Sequence, residues 1–149
     1  MPERRHETLL AFDFGLRRIG IASGDTLTGS AHPLTTVGVG ASGPDWAAIE
    51  REIRALKPDR LVVGKPYNSD GTPGSMAAAA ERFATELGAR HRLAVIRVDE
   101  RHSSQEASAQ LKARRASGQR RRRVQKEDID SVAAAIILER WLQGGEGTT

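Results

Sequence analysis

The 149-residue chain contains no cysteine. That excludes a disulfide framework, a thiolate nucleophile and a zinc site of the cysteine type, so any metal must be held by carboxylates or histidine. Aromatic residues are scarce, 4% of the chain, and Tyr67 is the only one in a candidate active-site loop. Long apolar runs are lacking too. The charged start, Met1 to Glu7, is followed by an apolar run that lasts only from Leu9 to Phe14, with Asp13 inside it. Neither a signal peptide nor a membrane span of about 18 apolar residues fits there, and the expected setting is cytoplasmic.

Leu, Ile, Val and Phe together make 31 of 149 residues, close to the composition at which disorder becomes the default, but the net charge is only +4. A small, alanine-assisted core is the expected outcome. The length suits one domain over residues 1–149, burying about 68 to 70% of the surface of the unfolded chain. Residues 1–7 and 144–149 are expected to be frayed tails.

The modest net charge conceals an uneven distribution. Lys112, Arg114, Arg115, Arg120, Arg121, Arg122, Arg123 and Lys126 form a segment with eight basic residues and no acidic one, whereas the remainder of the chain has 15 basic and 19 acidic residues. Such a block is a footprint for a polyanion. If all eight charges met duplex phosphates, the salt dependence of binding would approach a log–log slope of roughly −7. The plainer reading is a solvated loop whose charge is incidental.

Hydrophobic patterning predicts an α/β chain. Leu9 to Phe14, Ile19 to Ala22 and a weaker stretch near Ser30 to Val39 read as three successive strands with short connections, an antiparallel meander. Ser42 to Asp45 supply a helix start, and Trp46, Ile49, Ile53 and Leu56 recur at helical spacing until Lys57 and Pro58. Arg60 to Val63 is a strand ending at Gly64, and Tyr67 to Gly74 a polar loop. Ser75 to Leu87 is a helix with Gly88 as its expected C-terminal cap. Leu93 to Val98 is the clearest strand, and Ser103 with Glu106 fits a capping box for the next helix. Glu127 to Leu142 forms the last helix. Trp46 and Trp141 lie on apolar helical stripes, which favours core packing over base stacking.

Three carboxylates carry the chemical argument. Asp13 lies inside an apolar strand, where a buried charge costs several kcal/mol unless it is hydrogen-bonded, ion-paired or metal-bound. Glu100 follows the apolar strand that ends at Val98. Asp130 shares a helix face with Ala134, Ile137 and Trp141, the face expected to press on the sheet. If the three converge, their mutual repulsion, about 4 kcal/mol for two charges 4 Å apart at an effective dielectric of 20, calls for a divalent cation. All-oxygen ligation selects Mg²⁺ or Mn²⁺, and a pair of such ions is a known device for cutting phosphodiesters. Each acid also has a bland reading: Asp13 paired with Arg17 or Arg18, Glu100 as a surface charge, Asp130 favouring a helix N-terminus.

Asp13-Phe14-Gly15 with Arg18-Ile19-Gly20-Ile21-Ala22, Val62-Val63-Gly64 with Pro66, Asp99-Glu100-Arg101 with Ser103, and Asp130-Ser131-Val132-Ala133-Ala134 with Ile136-Ile137-Leu138-Glu139 occur in order. Together they resemble the YqgF/RuvX family from about Leu9 to Leu142. The resemblance implies a ribonuclease H-like fold, with a mixed five-stranded sheet (antiparallel meander, then parallel strands) flanked by helices and related to RuvC-type Holliday junction resolvases. It implies a nuclease that matures the 5′ end of precursor small-subunit ribosomal RNA, with Asp13, Glu100 and Asp130 as catalytic, metal-binding acids for Mg²⁺ or Mn²⁺. Lys65 stands where relatives usually carry an apolar residue, and is either a phosphate contact or a solvent-facing lysine. Leu16-Arg17 replaces the usual Thr-Lys or Thr-Arg but keeps the positive charge.

The expected partner is structured RNA or branched DNA, with ribosomal precursor particles in view and no membrane. Arg101, Arg114, Arg115, Arg120 to Arg123 and Lys126 would position its backbone, and the Asn68 to Gly74 loop would shape access. The sequence leaves open RNA against DNA, endonuclease against exonuclease, and monomer against homodimer. Two other readings compete. Asp13-x-Gly15 and Gly20-x-Ala22 echo a phosphate loop of the actin and sugar-kinase group, whose second domain this chain lacks. A non-catalytic ribosome assembly factor could use the basic segment alone. His102 stands beside Glu100, whereas His6, His32 and His91 show no ligand spacing.

Overall fold

Leu9, Leu10, Ala11 and Phe12 are all fully buried, as a strand covered on both faces and paired on both edges must be. In the computed structural model, which describes residues 6–65, 74–99 and 126–144, they form the centre of β1 (Thr8–Phe14). An antiparallel meander continues through β2 (Arg18–Asp25) and β3 (Ala31–Gly40). A two-residue strand, β4 (Gly43–Pro44), closes a tight hairpin on the end of β3. After helix α1 (Trp46–Leu56), β5 (Arg60–Lys65) lies parallel to β1; after α2 (Ser75–His91), β6 (Val95–Asp99) lies parallel to β5. Helix α3 (Lys126–Leu142) is the last element described. The sheet order is β4-β3-β2-β1-β5-β6.

The sheet therefore has six strands rather than the expected five. The extra one comes from Gly43 and Pro44, which the sequence presents as a helix start. Gly43 adopts a positive φ of 109°, turning the chain back on β3 two residues before Asp45 caps α1 by accepting a hydrogen bond from the Ala48 amide at 3.1 Å. Helix α1 ends as expected, with Lys57 in the left-handed region at φ 52°. Helix α2 runs on past Gly88 to a cap at Arg92. Gly88 is not the terminator because its role is spatial: a Cβ there would lie 3.1 Å from Val95 Cγ2 and 3.3 Å from the Leu93 carbonyl oxygen.

Strand alternation divides the core in two. Leu10, Phe12 and Phe14 of β1, with Leu61 and Val63 of β5, face α1 and α2, where they meet Ile49, Ile53, Ala80, Phe83 and Leu87. Phe83 is the hub, with its ring centroid 5.8 Å from Phe12, 5.1 Å from Phe14 and 5.5 Å from a stacked Trp46. Arg90 lies over the outer face of Trp46, 4.2 Å from the ring centroid. Leu9 and Ala11, with Val62, Ile96 and Val98, face the other way, against Ile137 and Leu138 of α3. Arg60 bonds Glu7 at 2.6 Å and lies over Trp141 at 5.0 Å, tying the starts of β1 and β5 to the end of α3. Both tryptophans are thus packing residues, as their helical spacing predicts.

Helix α3 comes close to the sheet because β2 offers it almost no side chain. Gly20, Ala22 and Gly24 alternate onto that face, and Ala22 packs against Ala134 and Ala135. A Cβ built on Gly24 would meet Leu138 Cδ2 at 2.9 Å. One built on Gly20 would run into the backbone oxygen of Asp130. Only glycine permits that approach. Gly20→Ala is accordingly expected to destabilise the protein by about 3 kcal/mol, as overpacking against backbone does, lowering the urea midpoint. A stability equal to wild type would contradict the contact.

Candidate active site

Asp13 is the last inward position of β1 on the α3 side, two residues beyond Ala11. Its neighbours across the sheet are Gly20 of β2 and Gly64 of β5. A carboxylate that would otherwise be hemmed in by side chains is thus flanked by two residues that have none. Gly20 is also the point where the Asp130 backbone touches the sheet. Two acids 117 positions apart in sequence therefore share one side of the sheet, one on the central strand and one on the helix above it. Both are partly exposed.

Asp130 has a defined partner. Arg18, the first residue of β2 and two positions before Gly20, donates from Nε to Asp130 Oδ2 at 2.7 Å; the side chains retain 32% and 24% of their exposure. The two line a cleft of about 320 Å³ together with Gly15, Leu16, Arg17 and Met76. Leu16 and Arg17, at the tip of the β1–β2 turn, are exposed. Of the two arginines considered as partners for Asp13 from sequence, Arg18 is bonded to the other acid. The signal was present in the alternation Arg18-Gly20-Ala22-Gly24, which puts the guanidinium on the same face as α3.

Glu100 follows β6 directly and lies outside the described residues. So do Arg101, His102, Arg114, Arg115, Arg120, Arg121, Arg122 and Arg123, the Ser103–Glu106 capping box, Tyr67 and the loop before Gly74, and the expected tails apart from His6, Glu7 and Gly144. Lys126 begins α3. Among the described residues no group of three potential metal ligands is assembled.

Lys65 is not solvent-facing. It follows Val63 onto the α1–α2 side of the sheet, opposite Asp13; its side chain is 18% exposed and its Nζ lies 3.7 Å from Glu81 Oε1. Arg97 of β6 reaches the same glutamate through Nε at 2.7 Å. Helix α2 thus carries one carboxylate above two basic residues on adjacent parallel strands, which draws the lysine inward.

The order β-meander, helix, parallel strand, helix, parallel strand, helix is that of a ribonuclease H-like fold of the kind seen in RuvC. Thermus thermophilus RuvC in complex with Holliday junction substrate matches with a TM-score of 0.54 at 14% identity, over 95% of this chain and 99% of that one. A yeast mitochondrial Holliday junction resolvase matches with a TM-score of 0.54 at 9% identity, over 91% and 77%. These likenesses are of fold. The family model described as "RuvX: Holliday junction resolvase" matches residues 7–144, and the chain belongs to that family. A relative from Xanthomonas axonopodis pv. citri, named "Putative pre-16S rRNA nuclease", is 42% identical over 153 residues, covering 100% of this chain and 98% of the relative. Another of that name from Xanthomonas oryzae pv. oryzae is 43% identical over 142 residues, covering 95% and 91%. No helix among the described residues is long and apolar enough to cross a membrane.

The Glu81 carboxyl is held below its ordinary value of 4.5, first by the Arg97 hydrogen bond and then by the charges of Arg97 and Lys65, with burial opposing. A carboxyl depressed in the folded state contributes stability above its unfolded value and loses it as pH falls through the lower folded value. The stability gap between wild type and Glu81→Gln is therefore expected at neutral pH and to close below about pH 4.5. Denaturant titrations across that range measure it, and a gap independent of pH would contradict the assignment.

Proposed function

We propose that this protein is a divalent-metal-dependent nuclease that hydrolyses phosphodiester bonds in the cytoplasm, in 5′-end processing of precursor small-subunit ribosomal RNA. The observation that supports the reading is that Asp13 pairs with Gly20 and the helix backbone at Asp130 is seated on that same glycine. Arg18 compensates Asp130 singly, and a divalent cation would compensate both acids together. Oxygen-only donors on a glycine-flanked floor fit Mg²⁺ or Mn²⁺ and suit softer ions poorly. Glu100, outside the described residues, is the third ligand of the proposal because the resemblance to the family implies it.

Asp13, Glu100 and Asp130 would hold the metal, which supplies charge for the phosphodiester and lowers the pKa of the attacking water. The chain's own contribution is placement. Asp13 is fixed by strand pairing on both sides, and Asp130 by the helix backbone seated on Gly20. Arg17 and Arg18 edge the cleft and would meet phosphate oxygens. Arg101 and the basic segment Arg114 to Lys126 would hold the flanking backbone, giving affinity rather than sequence preference. Lys65, on the far face, would act through Glu81 and the packing of α2.

The relatives named for pre-16S rRNA favour an RNA substrate, and their likeness extends along nearly the whole chain. The family's description as resolvases keeps four-way DNA as the second reading. The test presents matched ribosomal RNA precursor and four-way junction substrates to the pure protein with Mg²⁺ or Mn²⁺ and with a chelator. Metal-dependent cleavage of the RNA is expected, and Asp13→Asn is expected to lower it by about 1,000-fold, several kcal/mol of transition-state stabilisation. Undiminished cleavage by Asp13→Asn would remove Asp13 from the chemistry and end the metal-site assignment, whereas binding without any cleavage would replace the nuclease with a non-catalytic assembly factor. Changing Arg120 to Arg123 to alanine should reduce the magnitude of the salt slope for duplex binding by about 3 to 4. An unchanged slope would remove those four from the interface.

A further inference from the structure

The Arg18–Asp130 pair bears on how the site is loaded. Arg18 begins β2 opposite Gly38 of β3, so strand pairing fixes its backbone while its side chain reaches across to the helix. The bond is short, 2.7 Å, and made by Nε to a single carboxylate oxygen. Neither side chain is deeply buried, at 32% and 24% exposure, and both border the same open cleft of about 320 Å³. A guanidinium so placed compensates the charge of the carboxylate. It also competes for that carboxylate with any divalent ion, and it is a donor matched to phosphate as well as to carboxylate.

We propose that Arg18 is a resident counter-cation of the acidic site: it holds the Asp130 carboxylate while metal is absent and transfers to a phosphate oxygen of the nucleic acid when metal takes the carboxylate. The proposal rests on the metal-binding reading of Asp13 and Asp130. Its physical content is a coupling. Metal alone must displace Arg18 from Asp130, so it binds weakly. A phosphate that draws Arg18 away removes that competition, and by linkage metal strengthens nucleic-acid binding by the same factor. The protein would thereby stay unloaded until substrate arrives.

The experiment measures Mn²⁺ binding by calorimetry and electron paramagnetic resonance to wild type, Arg18→Gln and Arg18→Lys, each with and without a short phosphorothioate oligoribonucleotide. Thermal melting serves as a check of folding. Arg18→Gln is expected to bind Mn²⁺ about tenfold more tightly than wild type in the absence of RNA, and to lose the further tightening that RNA produces in wild type. Arg18→Lys, which keeps the charge, should stay close to wild type without RNA. A merely structural salt bridge predicts that loss of Arg18 lowers the melting temperature and leaves Mn²⁺ affinity equal or weaker. That result would overturn the proposal. If Arg18→Gln does not fold, unequal Mn²⁺ affinity with and without RNA in wild type and Arg18→Lys still supports the coupling, and equal affinity overturns it. If wild type and both variants bind no Mn²⁺ with or without RNA, the metal-binding reading fails together with it. Mn²⁺ binding that is equal in wild type and Arg18→Gln sinks only the role of Arg18.

Discussion

The constraint on which the candidate site depends is the contact between the backbone of α3 at Asp130 and the bare surface of Gly20. A helix lying over a sheet is ordinarily held off by two layers of side chain. Here β2 contributes glycine, alanine and glycine in turn, and the helix answers with Ala134 and Ala135. The gap closes until backbone meets backbone. The carboxylates on either side of that contact inherit its precision: Asp13 through its pairing with Gly20, Asp130 through its own carbonyl. The many alanines that leave this chain short of large apolar residues are therefore the means of its closest packing.

Much of this organisation is legible in the sequence because it follows from periodicity. An acid between Phe12 and Phe14 in an apolar strand demands compensation, and the stripe Asp130, Ala134, Ile137, Trp141 states which side of the helix meets the sheet. What escapes a linear reading depends on neighbours distant in the chain. Gly88 reads as a helix terminator until Val95 is known to lie against it. Lys65 reads as a surface lysine until α2 brings Glu81 over it. Gly43 and Pro44 read as the start of a helix because a two-residue strand has no periodicity to detect. Arg18 bonds an acid 112 residues away, a partner that its neighbours in the chain do not suggest.

The distribution of charge separates tasks. On the α2 side, Glu81 joins Lys65 and Arg97 into a cluster that holds helix to strands. On the α3 side, acids gather with an arginine at the rim of an open cleft. The sheet stands between the two, so charge serves cohesion on one face and, in the proposed function, ligand chemistry on the other. That division agrees with the rule that function in such sheets collects at the carboxyl ends of the strands: Asp13 is the penultimate residue of β1, and Glu100 comes immediately after β6.

The two tryptophans fall on opposite sides of this partition. Trp46 is stacked on Phe83 beneath Arg90, and Trp141 lies beside Arg60 where α3 ends. Each indole therefore has its own layer and its own cationic neighbour, and the chain carries two intrinsic optical probes whose emission belongs to different halves of the molecule. Loosening of the helix that bears Asp130 would register in one indole while the other stayed dark to it, which makes motion of the acidic face observable without any label.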